Sequence, residues 1–180
     1  MAEFYEIEIA GCTRKLKKFP VSDKLDIAAF ILFGDVEITE KSAEALLKKC
    51  PEFDVILTPE AKSIPLAYEM SRRSGKKYVV ARKGVKVYMG NAIDIAERSI
   101  TTQKEQHLYL GEDDVADLKG KSVLIVDDVI STGESLKAVE ELARQAGGNI
   151  VGKCAVLAEG DAKDRDDIIF LEPLPLFFKD

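Results

Sequence analysis

Long apolar runs are missing from this chain, as are paired cysteine spacings, an excess of positive charge and, but for one residue, histidine. No apolar stretch approaches the roughly 20 residues of a membrane-spanning helix. The first residues also lack the charged-then-apolar order of a secretion signal, so neither spanning nor export is expected. Cys12, Cys50 and Cys154 contain no CxxC pair. That argues against a zinc site or a disulfide framework and for a reducing, cytoplasmic setting, with each thiol read as a small hydrophobe. A net charge of −6 argues against a nucleic-acid partner, which needs a basic face. What is present, 180 residues of which 46% are hydrophobic and 32% charged, suits one domain with a sizeable core.

The most informative stretch is Val123-Leu124-Ile125-Val126-Asp127-Asp128-Val129-Ile130-Ser131-Thr132-Gly133-Glu134-Ser135. Four apolar residues read as a buried parallel strand ending at two acids. The hydroxyl- and glycine-bearing turn at 131–135 then runs into a helix pattern through Leu136, Val139, Leu142 and Ala143. Such a turn aims backbone N–H groups ahead of a positive helix end, which suits a phosphate. Two carboxylates beside an anion site fit a ligand that also brings hydroxyls or a metal ion, as a ribose phosphate with magnesium does.

Elsewhere, 4–9 alternates as a weak strand, and 14–18 is a basic run read as a solvated surface or a subunit contact. Residues 38–50 read as a helix capped by Thr39 and stopped by Pro51. Strands are expected at 54–58, 78–81, 106–110, 150–157 and 168–171. A helix over 64–70 ends at Gly75. This order predicts a parallel sheet wrapped on both faces. The polar interval between Gly84 and Gln106 reads as a lid over the rim, about 84–106. His107 sits in an alternating pattern and reads as a partly buried structural residue.

The stretch at 123–135 resembles the signature of the type I phosphoribosyltransferases, and the resemblance runs from about Phe19 to Phe178. It implies an α/β fold with an open, mainly parallel five-stranded sheet, flanked by helices and topped by a small N-terminal hood over about residues 1–38, in a single domain of 1–180. It implies that Asp127 and Asp128 hold the ribose hydroxyls of phosphoribosyl pyrophosphate. Ser131, Thr132, Gly133, Glu134 and Ser135 would hold its 5′-phosphate, with the Glu134 side chain turned to solvent. Ala61, Lys62 and Ser63 resemble the family's pyrophosphate loop, with a non-proline cis peptide expected between Ala61 and Lys62. Arg82, Lys83 and Lys86 resemble the basic stretch of the adenine phosphoribosyltransferases, the branch the chain looks most like. Asp127, Asp128, Lys62 and Arg82 are the residues expected to act in catalysis. The segment from Phe30 to Asp35 resembles the hood strip that contacts the base, through backbone at Leu32 and Gly34 and stacking at Phe33. Val129 and Ile130 would line the other face.

The family's lid Glu-Tyr pair is absent here, its place falling on Thr102-Gln103, so no glutamate stands at the general-base position. Glu105 is a substitute candidate but reads first as a solvated side chain. The resemblance further implies Mg2+ carried mainly by the substrate beside Asp127 and Asp128, a homodimer, and a purine base as co-substrate. The expected activity is purine salvage: adenine would give AMP and pyrophosphate, with xanthine or hypoxanthine–guanine use as the alternative. A non-catalytic sensor of phosphoribosyl pyrophosphate is the alternative of another class.

Overall fold

The computed structural model describes residues 3–97 and 106–179. The chain opens with strands β1 (Phe4–Ile9), β2 (Cys12–Ser22) and β3 (Leu25–Ala28), followed by helix α1 (Val36–Leu47). It continues through β4 (Val55–Pro59), α2 (Ile64–Ser74), β5 (Lys77–Ala81), β6 (Ile93–Glu97), β7 (Gln106–Leu110) and α3 (Glu112–Leu118). Then come β8 (Ser122–Ile130), α4 (Glu134–Gln145), β9 (Asn149–Glu159), β10 (Ile169–Leu174) and β11 (Phe177–Phe178).

Strands β10, β9, β8, β4 and β5 lie side by side in that order and all run parallel. Alternation along β8 feeds two cores: Leu124 and Val126 face one, Val123 and Ile125 the other. Both faces of a parallel sheet are covered, which is why these residues are all apolar. The first core is closed by α1, α2 and the hood, and the second by α4 and β7. None of the described helices is long and apolar enough to cross a membrane.

The expected helix cap at Thr39 is displaced. Asp35 caps α1 by accepting the Ile38 N–H at 3.3 Å, while Thr39 lies inside the helix and donates its hydroxyl to the Asp35 carbonyl at 2.7 Å. Asp35 also takes Arg14 in a two-point ion pair, Nε at 2.7 Å and Nη2 at 2.9 Å. The basic run is therefore not wholly solvated, because Arg14 pins the hood to α1. The hood itself is a four-stranded antiparallel sheet, β1-β2-β3-β11, so its last strand comes from the other end of the chain.

Half of the unpatterned interval before residue 106 is built. β6 pairs antiparallel with β7, placing Ile95 opposite Leu108, and both pack on the second core. Residues 98–105, which include Thr102, Gln103 and Glu105, lie outside the described residues.

Helix α2 opens at Ile64-Pro65 and ends at Gly75, whose φ of +70° gives the left-handed turn expected there. One carboxylate is buried on this helix. Glu69 accepts Arg72 at 2.8 and 2.9 Å and Arg73 at 2.6 Å, which pulls its carboxyl from 4.5 down to about 2, first through Arg72. A lowered carboxylate contributes stability above its unfolded value and loses it as pH falls. Glu69→Gln should cost about 1–2 kcal/mol at pH 7, discounted because Arg72 is half exposed. In denaturant titrations the difference from the native chain should fade between pH 4.5 and about 2.

Candidate active site

The site exists because β8 outruns a neighbour. Its pairing with β4 stops at Leu57 beside Ile125, while its pairing with β9 continues to Ile130. Asp127 and Asp128 thus lie within the strand, not after it, but on an edge that β4 has left. The Thr58 hydroxyl holds this fork, 2.8 Å from both the Val126 carbonyl and the Ser63 hydroxyl. Ser63 is buried and donates to the Pro59 carbonyl at 2.9 Å. Of the expected pyrophosphate loop, then, the Ser63 side chain is committed to building the turn. The cis peptide joins Glu60 to Ala61, one bond before the expected position.

A cavity of about 440 Å3 fills the fork, within the usual range for a small-molecule site. Pro59, Glu60, Ala61, Lys62 and Ser63 form one wall, Asp127 to Gly133 with Ser135 the other, and Lys83, Leu108 and Leu136 complete the lining. The three segments expected to meet at the rim therefore share one cavity. Gly133 adopts φ +84° at the mouth of α4, a conformation that favours glycine. Glu134 pairs with Lys137 at 3.1 Å and is not among the residues lining the cavity, which is the outward direction expected.

Asp128 is buried at 4% exposure, and its Oδ2 faces the Lys62 ammonium at 3.1 Å. That contact lacks hydrogen-bond alignment, so the buried oxygen keeps unused accepting capacity. Asp127 is half-buried and accepts the Asp128 N–H at 2.8 Å. Burial, then the neighbouring Asp128 charge, pushes the Asp127 carboxyl well above its usual value. Lys62 is the nearest counter-charge to this pair.

Glu60 is the rim residue that sequence reading missed. It accepts the Lys83 N–H at 2.8 Å and lies 3.4 Å from Arg82 Nε. The Lys83 N–H first, then the nearby cations, hold its carboxyl below the usual range. Arg82 also donates to the Tyr88 hydroxyl at 3.1 Å, and its backbone bridges to Tyr109. Only Lys83 of the basic stretch lines the cavity. Arg82 and Lys86 flank it, and Lys86 is exposed. A glutamate in a loop gives no periodic signal, but its place directly after a strand that precedes Arg82 and Lys83 was a usable clue.

The base candidates are divided. Val129 and Ile130 line the fork cavity, whereas Leu32 and Gly34 line a second cavity of about 590 Å3 between the ends of α1 and α2. Phe33 is 54% exposed and lines neither. Gly34, at φ +81°, makes the turn that lets the Asp35 N–H reach the Leu32 carbonyl at 3.0 Å. His107 stays out of the site. Its ring meets Asp94 at 2.7 Å and stacks on Tyr109, half-exposed rather than enclosed.

An acid pair on an overhanging parallel strand, a glycine turn into a helix and a facing loop with one lysine are the arrangement expected of a type I phosphoribosyltransferase. A family model described as "Phosphoribosyl transferase domain" matches residues 35–174, and the chain belongs to that family. Adenine phosphoribosyltransferase from Thermotoga maritima is 32% identical over 156 residues, covering 82% of this chain and 83% of that protein. Hypoxanthine/guanine phosphoribosyltransferase from Methanococcus voltae is 32% identical over 146 residues, covering 81% and 72%. The fold matches the crystal structure of adenine phosphoribosyltransferase from Thermoanaerobacter pseudethanolicus with a TM-score of 0.70 at 24% identity, covering 88% of this chain and 95% of that one.

The acid pair carries a cost that can be measured. A carboxyl raised in the fold favours the folded state at low pH, and that contribution is lost as pH rises through its folded value. Asp128→Asn removes the charge that helps raise Asp127. The variant should melt about 2–4 °C higher at pH 7, the shift that about 1 kcal/mol gives a domain of this size. The gain should shrink as pH falls toward 3.8 and Asp127 takes up its proton in both folded and unfolded chains. A variant no more stable than the native chain at pH 7 would count against the repulsion.

Proposed function

We propose that the protein transfers the phosphoribosyl group of phosphoribosyl pyrophosphate to a purine base in salvage, with adenine the substrate and AMP and pyrophosphate the products. The observation that carries this reading is the shared cavity: a phosphate turn, an acid pair and a cationic loop lie around one space of about 440 Å3. Cleavage at ribose C1 builds positive charge on the sugar and negative charge on the departing pyrophosphate. Positioning and fixed charge lower such a barrier most.

The backbone turn at 131–135 takes the 5′-phosphate, and Asp127 and Asp128 accept the ribose hydroxyls. Lys62, with its ammonium 3.1 Å from Asp128, swings to the pyrophosphate when the hydroxyls replace it, joined by the backbone at Ala61 and Ser63. Arg82, Lys83 and Lys86 supply further positive charge to the same group, aimed by Glu60. Val129 and Ile130 form the apolar wall toward the base, with Leu32, Phe33 and Gly34 of the hood as its other contacts. Leu108 on β7 lines the cavity, which supports a lid role for the hairpin and the connection beyond it.

Magnesium fits the donor set in one way. No cluster of three or more metal-ligating side chains exists among the described residues. Asp128 nevertheless has a buried oxygen with spare accepting capacity beside Asp127. Asp127 and Asp128 would hold such an ion when substrate brings it, and Mg2+ would supply positive charge against the pyrophosphate. We also place the protein in the cytoplasm, in keeping with its free thiols. We infer a homodimer as well, because Val36, Tyr68, Val87 and Tyr88 are exposed. A hypoxanthine–guanine preference is the second reading, favoured by the Methanococcus voltae relative.

The reading is tested by product formation from labelled phosphoribosyl pyrophosphate and magnesium with adenine, hypoxanthine, guanine and xanthine. AMP is the expected major product. Tight binding without turnover on every base would instead identify a sensor. Asp128→Asn should weaken phosphoribosyl pyrophosphate by about 10- to 100-fold, the loss of one or two contacts to a charged group, with the circular dichroism spectrum unchanged. Unaltered affinity would overturn the assignment of the acids.

A further inference from the structure

Behind the phosphate turn stands a cation that the reading above does not use. Arg165 follows the short 3-10 turn Gly160–Asp164 after β9. Its Nη1 lies 2.5 Å from the point a β-carbon on Gly133 would occupy. Gly133 thus adopts a positive φ, which favours glycine, and also leaves room for the guanidinium.

Arg165 is held firmly. Asp167 accepts Nε and Nη2, both at 2.8 Å, the two-point geometry in which a guanidinium loses rotational freedom. Asp167 also accepts Lys153 at 2.6 Å, and Lys153 reaches Glu140 on α4 at 2.6 Å. The chain of charges therefore ends on the same helix that the phosphate turn opens. Arg165 and then Lys153 keep the Asp167 carboxyl far below the usual range, so the clamp stays ionised at working pH. Glu140 also meets Arg144 at 3.6 Å, so the network continues along α4, and its Arg165 Nη1 is the group set against Gly133. No hydrogen-bond partner for Nη1 is found among the described residues.

We propose that Arg165 is a positioning residue for the sugar phosphate. Clamped by Asp167, its guanidinium supports the turn at Gly133 and sets a positive charge behind the N–H groups that receive the 5′-phosphate. The inference rests on the phosphate-turn reading and adds a residue from a different loop to it. Arg165 is outside the cavity lining, so it acts through the turn and not by entering the reaction space.

The test is calorimetric binding of ribose 5-phosphate, phosphoribosyl pyrophosphate and free pyrophosphate to the native chain and to Arg165→Gln, Arg165→Lys and Asp167→Asn. Arg165→Gln should weaken both sugar phosphates about tenfold, the size of one charge-assisted contact. Pyrophosphate, held by the facing loop, should bind as before. With adenine as acceptor, KM for phosphoribosyl pyrophosphate should rise by a similar factor, with kcat changed less than about twofold. Arg165→Lys should recover part of the loss, and Asp167→Asn should lose less than Arg165→Gln. Equal sugar-phosphate affinity in Arg165→Gln would overturn this inference alone, and so would an equal loss of pyrophosphate affinity. A native chain that binds neither sugar phosphate would overturn the phosphate-turn reading and this inference with it.

Discussion

Two carboxylates on consecutive residues, one of them buried at 4% exposure, are the constraint around which this molecule is arranged. Placing them together is unfavourable, because each acid loses water and meets a like charge. The fold tolerates the pair through three devices. Asp127 takes the N–H of Asp128, Lys62 stands opposite Asp128, and the hydroxyl tie from Thr58 fixes the fork in which they lie. None of the three offsets the burial and, after it, the repulsion, so the Asp127 carboxyl stays raised. The residual strain is relieved by whatever brings donors or a cation to that edge. A sugar's hydroxyls and a metal ion carried on its pyrophosphate, the ligands proposed for this edge, would do both.

A second regularity concerns the cations. Arg82 is gathered by Glu60, Lys62 by Asp128, and Arg165 by Asp167. Long basic side chains lose considerable entropy when fixed. An acid behind each one meets that cost before a polyanion arrives. The same acids temper the positive charge, so the cavity does not act as a general anion sink in a chain whose net charge is −6.

How far this was legible depended on the kind of signal. The five sheet strands were readable because parallel strands buried on both faces leave unbroken apolar runs, as in Val55-Ile56-Leu57 and 123–126. The phosphate turn was readable because backbone capture of a phosphate demands glycine and small hydroxyl residues at fixed places. Helix α3 left little trace: it is seven residues long with only Leu118 fully buried. The α1 cap was misplaced because Thr39 and Asp35 are both good caps locally, and only the distant Arg14 decides between them. Strand β11 was invisible for a similar reason. Two phenylalanines have no strand pattern of their own and become a strand only against Leu25 and Asp26.

Recognition of the base is the opposite case from recognition of the phosphate. The contacts proposed for the hood strip are backbone atoms and one exposed ring, and backbone atoms are common to every sequence. What positions that strip is nevertheless specific. Arg14 locks it to the first turn of α1 through Asp35, and β11 returns from β10 to close the hood sheet on its far side. The hood is therefore joined to the parallel sheet at both ends of the chain. Leu32 and Gly34 face a cavity separate from the one holding Val129 and Ile130. The phosphate half of the site is tied by hydrogen bonds within the sheet. The base half is tied instead by the first core, where Leu32 and Phe30 pack beside Ile9 and Ile38.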